Sequence, residues 1–167
     1  MTRDAVVRRA QRGDPIALEE LVRIVTPSIA PVCGAIALDS GDDALQETLI
    51  VVLRRITTLR EPQALLGWAR RIATREAVRV ARGRLPVVDD AVLDAVAPAV
   101  DLPDLATAVD VRAALAALTP EQRAVLVLRD LEGLSEEAVA ELLEVPEGTV
   151  KSRLHRSRAA FARRWTR

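Results

Sequence analysis

The sequence predicts an all-α fold in which two small helical domains are joined by an acidic linker. Half of the 167 residues are apolar, which is enough to build two compact cores. Aromatic residues make up only 2%, so aliphatic side chains and alanine must form those cores, and they favour helix packing over a sandwich or barrel. Apolar residues recur at helical spacing on both sides of an acidic stretch, which predicts domains at 1–84 and 110–167 and a linker at 85–109.

The composition excludes several kinds of site. Cys33 is the only cysteine and His155 the only histidine, so neither an intrachain disulfide nor a Cys/His zinc site can form. We expect no metal and no cofactor. The sequence shows no apolar run of about 20 residues and no secretion signal, which predicts a cytoplasmic protein without a membrane span.

The first domain opens with a capped helix. Asp14 precedes Pro15, a pair suited to the N-cap and first turn. Pro27 and Pro31 are expected to interrupt the helix and leave a further short helix after them. Residues 39–42 carry the turn signal Asp-Ser-Gly-Asp.

Two further helices complete the first domain. The stretch from about 42 to 57 is predicted helical because an apolar stripe runs along it, formed by Leu45, Leu49, Val52, Leu53 and Ile56. A break follows at 57–62, and the next helix is predicted from about 62 to 82. Its inner side carries Leu65, Leu66, Ala69, Ile72 and Ala73, and another face carries Arg71, Arg75, Arg79 and Arg82.

The linker differs from both domains in composition. Residues 85–110 contain aspartates and three prolines without any Arg or Lys. An ordinary solubilising tether would have the same composition.

The sequence pattern of the second domain predicts a helix-turn-helix. One amphipathic stripe contains Val111, Ala114, Leu115 and Leu118, and a capping box at 119–122 then starts a helix whose core face holds Val125, Leu126, Leu128 and Leu131. Gly133 ends it, and Ser135 caps a helix of about nine residues. A tight turn at 144–146 leads to the last helix.

The last helix has two chemically different sides. Val150, Leu154, Ser157, Phe161 and Trp165 share the side that needs burial. At about 100° per residue, the opposite side presents Gly148, Thr149, Ser152, His155 and Arg156, flanked by Lys151 and Arg153. Residues 149–167 hold seven basic residues and no acidic one, whereas a merely solvated helix end would carry one or two cations. Small polar groups and arginine at the start of an exposed helix favour DNA reading in the major groove.

These residues resemble a known family. The segments EQRAVLVLR (121–129) and GLS (133–135) look like the start of a sigma-4 domain of the sigma-70 family, and VPEGTVKSRLHR (145–156) resembles its recognition helix. The resemblance implies that the helix reads the −35 promoter element through Thr149, Lys151, Ser152, Arg153, His155 and Arg156.

The N-terminal half resembles a sigma-2 domain less tightly. The segment DDALQET (42–48) is similar to the helix that binds the β′ clamp helices of core RNA polymerase, which implies that role for Asp43, Gln46 and Glu47. The segment WARRIA (68–73) resembles the helix that contacts the −10 element. The −10 residues would then be Thr57, Thr58, Arg60, Arg71, Arg75 and Arg79, with exposed ion pairing to Glu76 as the alternative role of the arginines.

The −10 half also departs from the family. Ala69 stands where a bulky apolar residue is usual, and Arg75 where asparagine is common. No Tyr or Phe lies between Asp42 and Arg84. Because unstacking a base costs a few kcal/mol, we expect weak promoter melting or dependence on a strict −10 sequence.

The resemblance implies a group 4, extracytoplasmic-function sigma factor. Such a protein is a transcription initiation factor, not an enzyme, and its partners are core polymerase (the β′ clamp helices and the β flap), promoter DNA and, as a further candidate, an anti-sigma factor. The alternative is a stand-alone helix-turn-helix regulator that binds palindromic sites as a dimer.

Overall fold

The computed structural model describes residues 2–83 and 107–165, of which the side chains of 107–110 and 165 are not described. Eight α-helices and no strand lie within these residues, in agreement with the predicted fold class. The predicted linker at 85–109 lies outside the described residues, except that its last three residues belong to a helix. The chain divides into two compact units, Met1–Val80 and Ala81–Arg167.

The first unit contains four helices. They are α1 (Arg3–Ala10), α2 (Pro15–Ala37), α3 (Gly41–Arg55) and α4 (Leu65–Gly83), whose last residues pass into the second unit. Short 3-10 turns at Leu38–Ser40, Ile56–Thr58 and Pro62–Ala64 connect them. The predicted cap at Asp14 is confirmed, because its carboxylate accepts hydrogen bonds from the backbone N–H groups of Ile16 and Ala17 at 3.0 and 3.2 Å.

Helix α2 is continuous, so the predicted break at Pro27 and Pro31 is wrong. Both prolines are exposed and stand one turn apart, so the hydrogen bonds they omit lie on the solvent side of the helix, where water can replace them. The opposite side buries a row of fully enclosed residues: Ala17, Leu21, Val25, Ile29, Cys33 and Ile36. Burial of this row outweighs the cost of the two prolines.

One stretch of the first unit meets a membrane span's length and composition, although the sequence predicted no such run. Because the prolines do not end α2, the helical stretch Pro15–Thr58 is long and apolar enough to span a membrane by length and composition, with a hydropathy of 1.8. These are weak grounds for a span, since the core helix of a soluble protein satisfies the same test.

Helix α3 buries part of the predicted stripe together with two smaller residues. Val52 and, just beyond the helix, Ile56 are buried as predicted, and Ala44 and Thr48 are fully buried as well, whereas the predicted Leu45, Leu49 and Leu53 are half-buried. The smaller residues let α3 pack closely on α2, and Thr48 satisfies its hydroxyl by donating to the Ala44 carbonyl at 2.6 Å.

Four helices also form the second unit: α5 (Thr107–Ala116), α6 (Pro120–Leu126), α7 (Glu136–Leu143) and α8 (Glu147–Trp165). The predicted capping box at Thr119 and Gln122 is confirmed, with both reciprocal hydrogen bonds formed. The prediction that Val111 and Leu131 are buried is wrong, since they are 37% and 73% exposed.

A π-helical turn explains the exposure of Leu131. Helix α6 continues as a π-helix over Val127–Leu131, and the Glu132 N–H donates to the Val127 carbonyl five residues back at 2.9 Å. The wider turn changes the angle between successive side chains. Val127 and Leu128 are consequently buried at 2% exposure, and Leu131 faces outward.

Candidate nucleic-acid interface

A continuous apolar cluster holds the last two helices in a fixed arrangement. Its buried members come from α6, the π-turn, α7 and α8, and they are Val125, Leu128, Val139, Ala140, Leu142, Val150 and Leu154. Leu134, Leu143 and Val145 pack against this cluster from its edge. The inward side of α8 is therefore occupied by protein, as predicted for Val150 and Leu154, and its opposite side is directed to solvent.

Local signals place the start of α8. The Ser135 hydroxyl accepts from the Ala138 N–H at 3.1 Å and caps α7. Helix α7 ends at Leu143, and the next residue, Glu144, adopts the left-handed conformation with φ 57°. The Val145 N–H then donates to the Ala140 carbonyl at 3.1 Å, which closes the turn before α8.

The predicted reading side of α8 lies at the surface. Ser152, His155 and Arg156 are exposed, as is Lys151, while Thr149 and Arg153 are half-buried. Exposed Gly148 places no side chain in front of the first turn. Two of the polar groups are oriented locally: the Ser152 hydroxyl donates to the Thr149 carbonyl at 3.0 Å, and Arg156 Nε donates to the Ser152 carbonyl at 3.3 Å.

Acidic side chains surround Lys151. Its ammonium lies 3.1 Å from a Glu147 carboxylate oxygen and 3.8 Å from one of Glu136 on α7. The hydrogen bond with Glu147, followed by the charges of Glu147 and Glu136, raises the pKa of Lys151. The two carboxylates therefore orient Lys151 across the turn between α7 and α8.

Arg158 is engaged within the protein, which the count of basic residues did not indicate. It donates from Nη2 and Nε to the two carboxylate oxygens of Asp130, at 2.6 and 3.2 Å. This bidentate hydrogen bonding raises the pKa of Arg158. Arg158 consequently links α8 to the π-turn, and part of the basic character of α8 is neutralised.

The predicted −10 residues are exposed on two elements of the first unit. Thr57, Thr58 and Arg60 lie in the connection between α3 and α4, and α4 presents its arginine row, Arg71, Arg75 and Arg79. Trp68 is half-buried at the start of the same helix.

Gln11 fixes this connection, and the sequence did not indicate it. The Gln11 side-chain amide donates to the carbonyls of Ile56 and Leu59 at 3.1 and 2.7 Å. Leu59 is buried at 6% exposure, and the Thr58 hydroxyl donates to the Arg55 carbonyl at 2.8 Å. Two predicted DNA-contacting threonines are thus held on an anchored backbone.

The predicted polymerase-binding residues share an exposed face. Asp43, Gln46 and Glu47 all lie at the surface of α3. Glu47 is also within reach of α4: Arg79 Nη2 lies 3.2 Å from Glu47 Oε2 and 2.7 Å from Glu76 Oε2. The hydrogen bond with Glu76, with its charge and that of Glu47, raises the pKa of Arg79.

Cys33 does not belong to any of these predicted contact surfaces. Its thiol is fully buried, 3.6 Å from the Thr48 hydroxyl, and burial raises its pKa. Within the described residues, His, Cys, Asp and Glu form no group of three or more that is arranged to hold a metal ion.

Comparison with known proteins decides the family. Residues 108–161 match the family model described as Sigma-70, region 4. The chain is 32% identical over 173 residues to the RNA polymerase sigma-H factor of Pseudomonas aeruginosa, which covers 93% of this chain and 90% of that protein. It is 31% identical over 180 residues to the ECF RNA polymerase sigma-E factor of Salmonella typhimurium, which covers 96% of this chain and 93% of that protein. The chain belongs to the sigma-70 family, as an ECF sigma factor.

Other sigma factors match part of the length. The ECF sigma factor SigM of Mycobacterium tuberculosis is 37% identical over 126 residues, and the match spans 75% of this chain and 64% of that protein. The region 4 model covers α5 to α8, so it includes the predicted −35 residues.

Solved structures agree on the fold. The sigma factor RpoE of Bartonella quintana, solved with the anti-sigma factor NepR, has a TM-score of 0.62 at 21% identity, over 89% of this sigma factor and 96% of that chain. CnrH, solved with the cytosolic domain of CnrY, has a TM-score of 0.60 at 20% identity, over 95% of this chain and 94% of that chain.

Proposed function

We propose that this sigma factor binds core RNA polymerase and directs it to promoters by recognising −10 and −35 elements. One observation carries the proposal: the outer side of α8 presents Ser152, His155 and Arg156 to solvent, while its inner side is fixed by a buried apolar cluster. A helix held in this way can enter a major groove without losing its packing. The role requires no chemistry from this chain, because the polymerase forms the phosphodiester bonds.

Base reading is assigned to the exposed side of α8. The Arg156 guanidinium can donate two hydrogen bonds to guanine, and Ser152 can donate or accept at a base edge. Thr149, Lys151, Arg153 and His155 flank these groups and would complete the contact with bases and phosphates. Phosphate attraction adds a salt-dependent affinity that is independent of sequence.

The first unit is assigned to polymerase and the −10 element. Asp43, Gln46 and Glu47 form an exposed polar face for the β′ clamp helices, and the β flap is the proposed polymerase contact of the second unit. Contact with the −10 element is assigned to the α3–α4 connection and the α4 arginines, namely Thr57, Thr58, Arg60, Arg71, Arg75 and Arg79. The two units together would bind promoter DNA more tightly than either alone.

An anti-sigma factor is a proposed further partner, supported by the two solved relatives with anti-sigma or cytosolic partner chains. A cytoplasmic location follows from the proposed polymerase partnership.

In vitro transcription with core polymerase and a genomic promoter library tests the proposal. Arg156→Ala should lower use of promoters with the matching −35 base by about 1–3 kcal/mol of discrimination and leave attachment to core polymerase intact. Arg163→Ala is the matched control, since it removes the same charge from an exposed position further along α8.

Two outcomes would contradict the proposal. Failure of the wild-type chain to associate with core polymerase would refute the initiation role and leave the stand-alone regulator. Equal promoter selection by Arg156→Ala and Arg163→Ala would remove Arg156 from the reading side.

A further inference from the structure

An ion-pair cluster joins the two proposed contact surfaces of the first unit. Arg79 on α4 donates to Glu76 through Nε at 2.7 Å and to Glu47 on α3 through Nη2 at 3.2 Å. The exposed fractions of the Arg79 and Glu47 side chains are 59% and 48%, and that of Glu76 is 17%. The cluster is therefore open to both a DNA phosphate and a polymerase side chain.

Arg79 cannot bind these carboxylates and a DNA phosphate through the same N–H groups at once. Nε and Nη2 form one edge of the guanidinium fork, which is the geometry that binds a phosphate with two hydrogen bonds. In the free protein this edge faces Glu76 and Glu47. A phosphate that binds through this edge must displace these partners and also approach two negative charges.

Glu47 belongs to the proposed polymerase-binding face as well. A basic polymerase residue that binds Glu47 would draw its carboxylate from Arg79, since one carboxylate shared between two cations binds each more weakly. Arg79 would then retain only Glu76 on its own helix.

We propose that Glu47 and Glu76 are positioning residues that hold Arg79 back from DNA in the free sigma factor, and that polymerase contact at Glu47 releases it. This inference rests on the proposed function of α3 and α4. The coupling is modest, because exposed ion pairs are weak. Release of Arg79 would make the sigma factor bind DNA more tightly in the polymerase complex than on its own.

Binding of the free full-length protein to a labelled single-stranded DNA of mixed sequence tests the first half. Glu76→Gln and Glu47→Gln should each bind about two- to fivefold more tightly than wild type at low salt. Glu20→Gln is the matched control: it removes one charge from an exposed pair with Arg23 at 3.0 Å on α2, and it should bind less tightly than either variant.

A double-mutant cycle separates release of Arg79 from a general charge effect. In an Arg79→Ala background, Glu76→Gln and Glu47→Gln should give no gain in DNA affinity. A gain that persists there, or one equal to that of Glu20→Gln, would overturn the inference.

Holoenzyme tests the second half. With core polymerase at saturating concentration, Glu47→Gln should lose its advantage over wild type on a −10 single strand, because polymerase has already engaged Glu47. An undiminished advantage would refute the polymerase step. Absence of any complex between the wild-type chain and core polymerase would instead refute the proposed function. The double-mutant cycle on the free protein would still measure how strongly Glu47 and Glu76 keep Arg79 from DNA.

Discussion

The contact between the end of α2 and the start of α3 depends on a glycine, and Gly41→Ala should disrupt it. A β-carbon at Gly41 would lie 3.0 Å from the Gly34 Cα and 3.5 Å from its backbone nitrogen. Both atoms belong to the backbone of α2 and cannot move aside by a rotamer change. The helices must separate, and α3 carries the fully buried Ala44, Thr48 and Val52 against the core.

Gly34 provides the matched comparison. A β-carbon there would meet nothing within 4 Å, so Gly34→Ala should gain only the helix propensity of alanine, about 1 kcal/mol. Gly41→Ala incurs an overpacking cost of about 1–3 kcal/mol, against a smaller propensity gain at the first residue of its helix. We expect the free energy of unfolding to rise by about 1 kcal/mol for Gly34→Ala and to fall by about 1–2 kcal/mol for Gly41→Ala.

Urea denaturation followed by Trp68 fluorescence measures this difference. The background should be Trp165→Phe, so that Trp68 alone reports on the first unit. The two variants should differ by about 2–3 kcal/mol, which corresponds to a gap in melting temperature of roughly ten degrees or more for a unit of this size. If Gly41→Ala proves as stable as Gly34→Ala, the close approach does not limit packing, and the reasoning is refuted.

Three other predictions concern single contacts. Gln11→Ala should lower the free energy of unfolding by about 1–2 kcal/mol, because the Leu59 carbonyl loses its donor. Trypsin should also cleave the variant faster after Arg60, and an unchanged cleavage rate would contradict the anchoring role of Gln11. Glu144→Gly should raise stability by about 1 kcal/mol in urea unfolding, since the residue has φ 57°, and lower stability would show that no strain is stored there. The hydrogen bond from Arg9 lowers the pKa of Asp14. The stability that this pair contributes is therefore present above the unfolded pKa and is lost as the pH falls through the lower folded pKa, below about pH 4. Asp14→Asn, which keeps the cap, should flatten the acidic side of the plot of unfolding free energy against pH, and an unaltered plot would exclude this ion pair as its cause.

Features that depend on neighbouring residues were predictable from the sequence. The caps at Asp14, Thr119 and Ser135 are confirmed because each side chain binds an N–H two or three residues away. The two sides of α8 follow from helical periodicity in the same way, since Val150 and Leu154 are buried while Ser152 is exposed. The DNA-contacting roles of that exposed side remain a prediction.

Predictions failed where packing overrode a local preference. Pro27 and Pro31 were expected to break α2, yet its buried row keeps the helix continuous. Leu131 fits a regular helical stripe, but the π-turn places it at the surface.

The sequence by itself determined the all-α class, the capped starts of α2, α6 and α7, the family and the polar side of α8, because each is encoded over a few residues or by a contiguous motif. Only the tertiary structure decided which charges meet. It placed Arg79 beside Glu47, 32 residues away, and Arg158 beside Asp130, 28 residues away. Such pairs depend on how helices cross in space, and helix crossing is set by the shape of the whole core rather than by any local pattern.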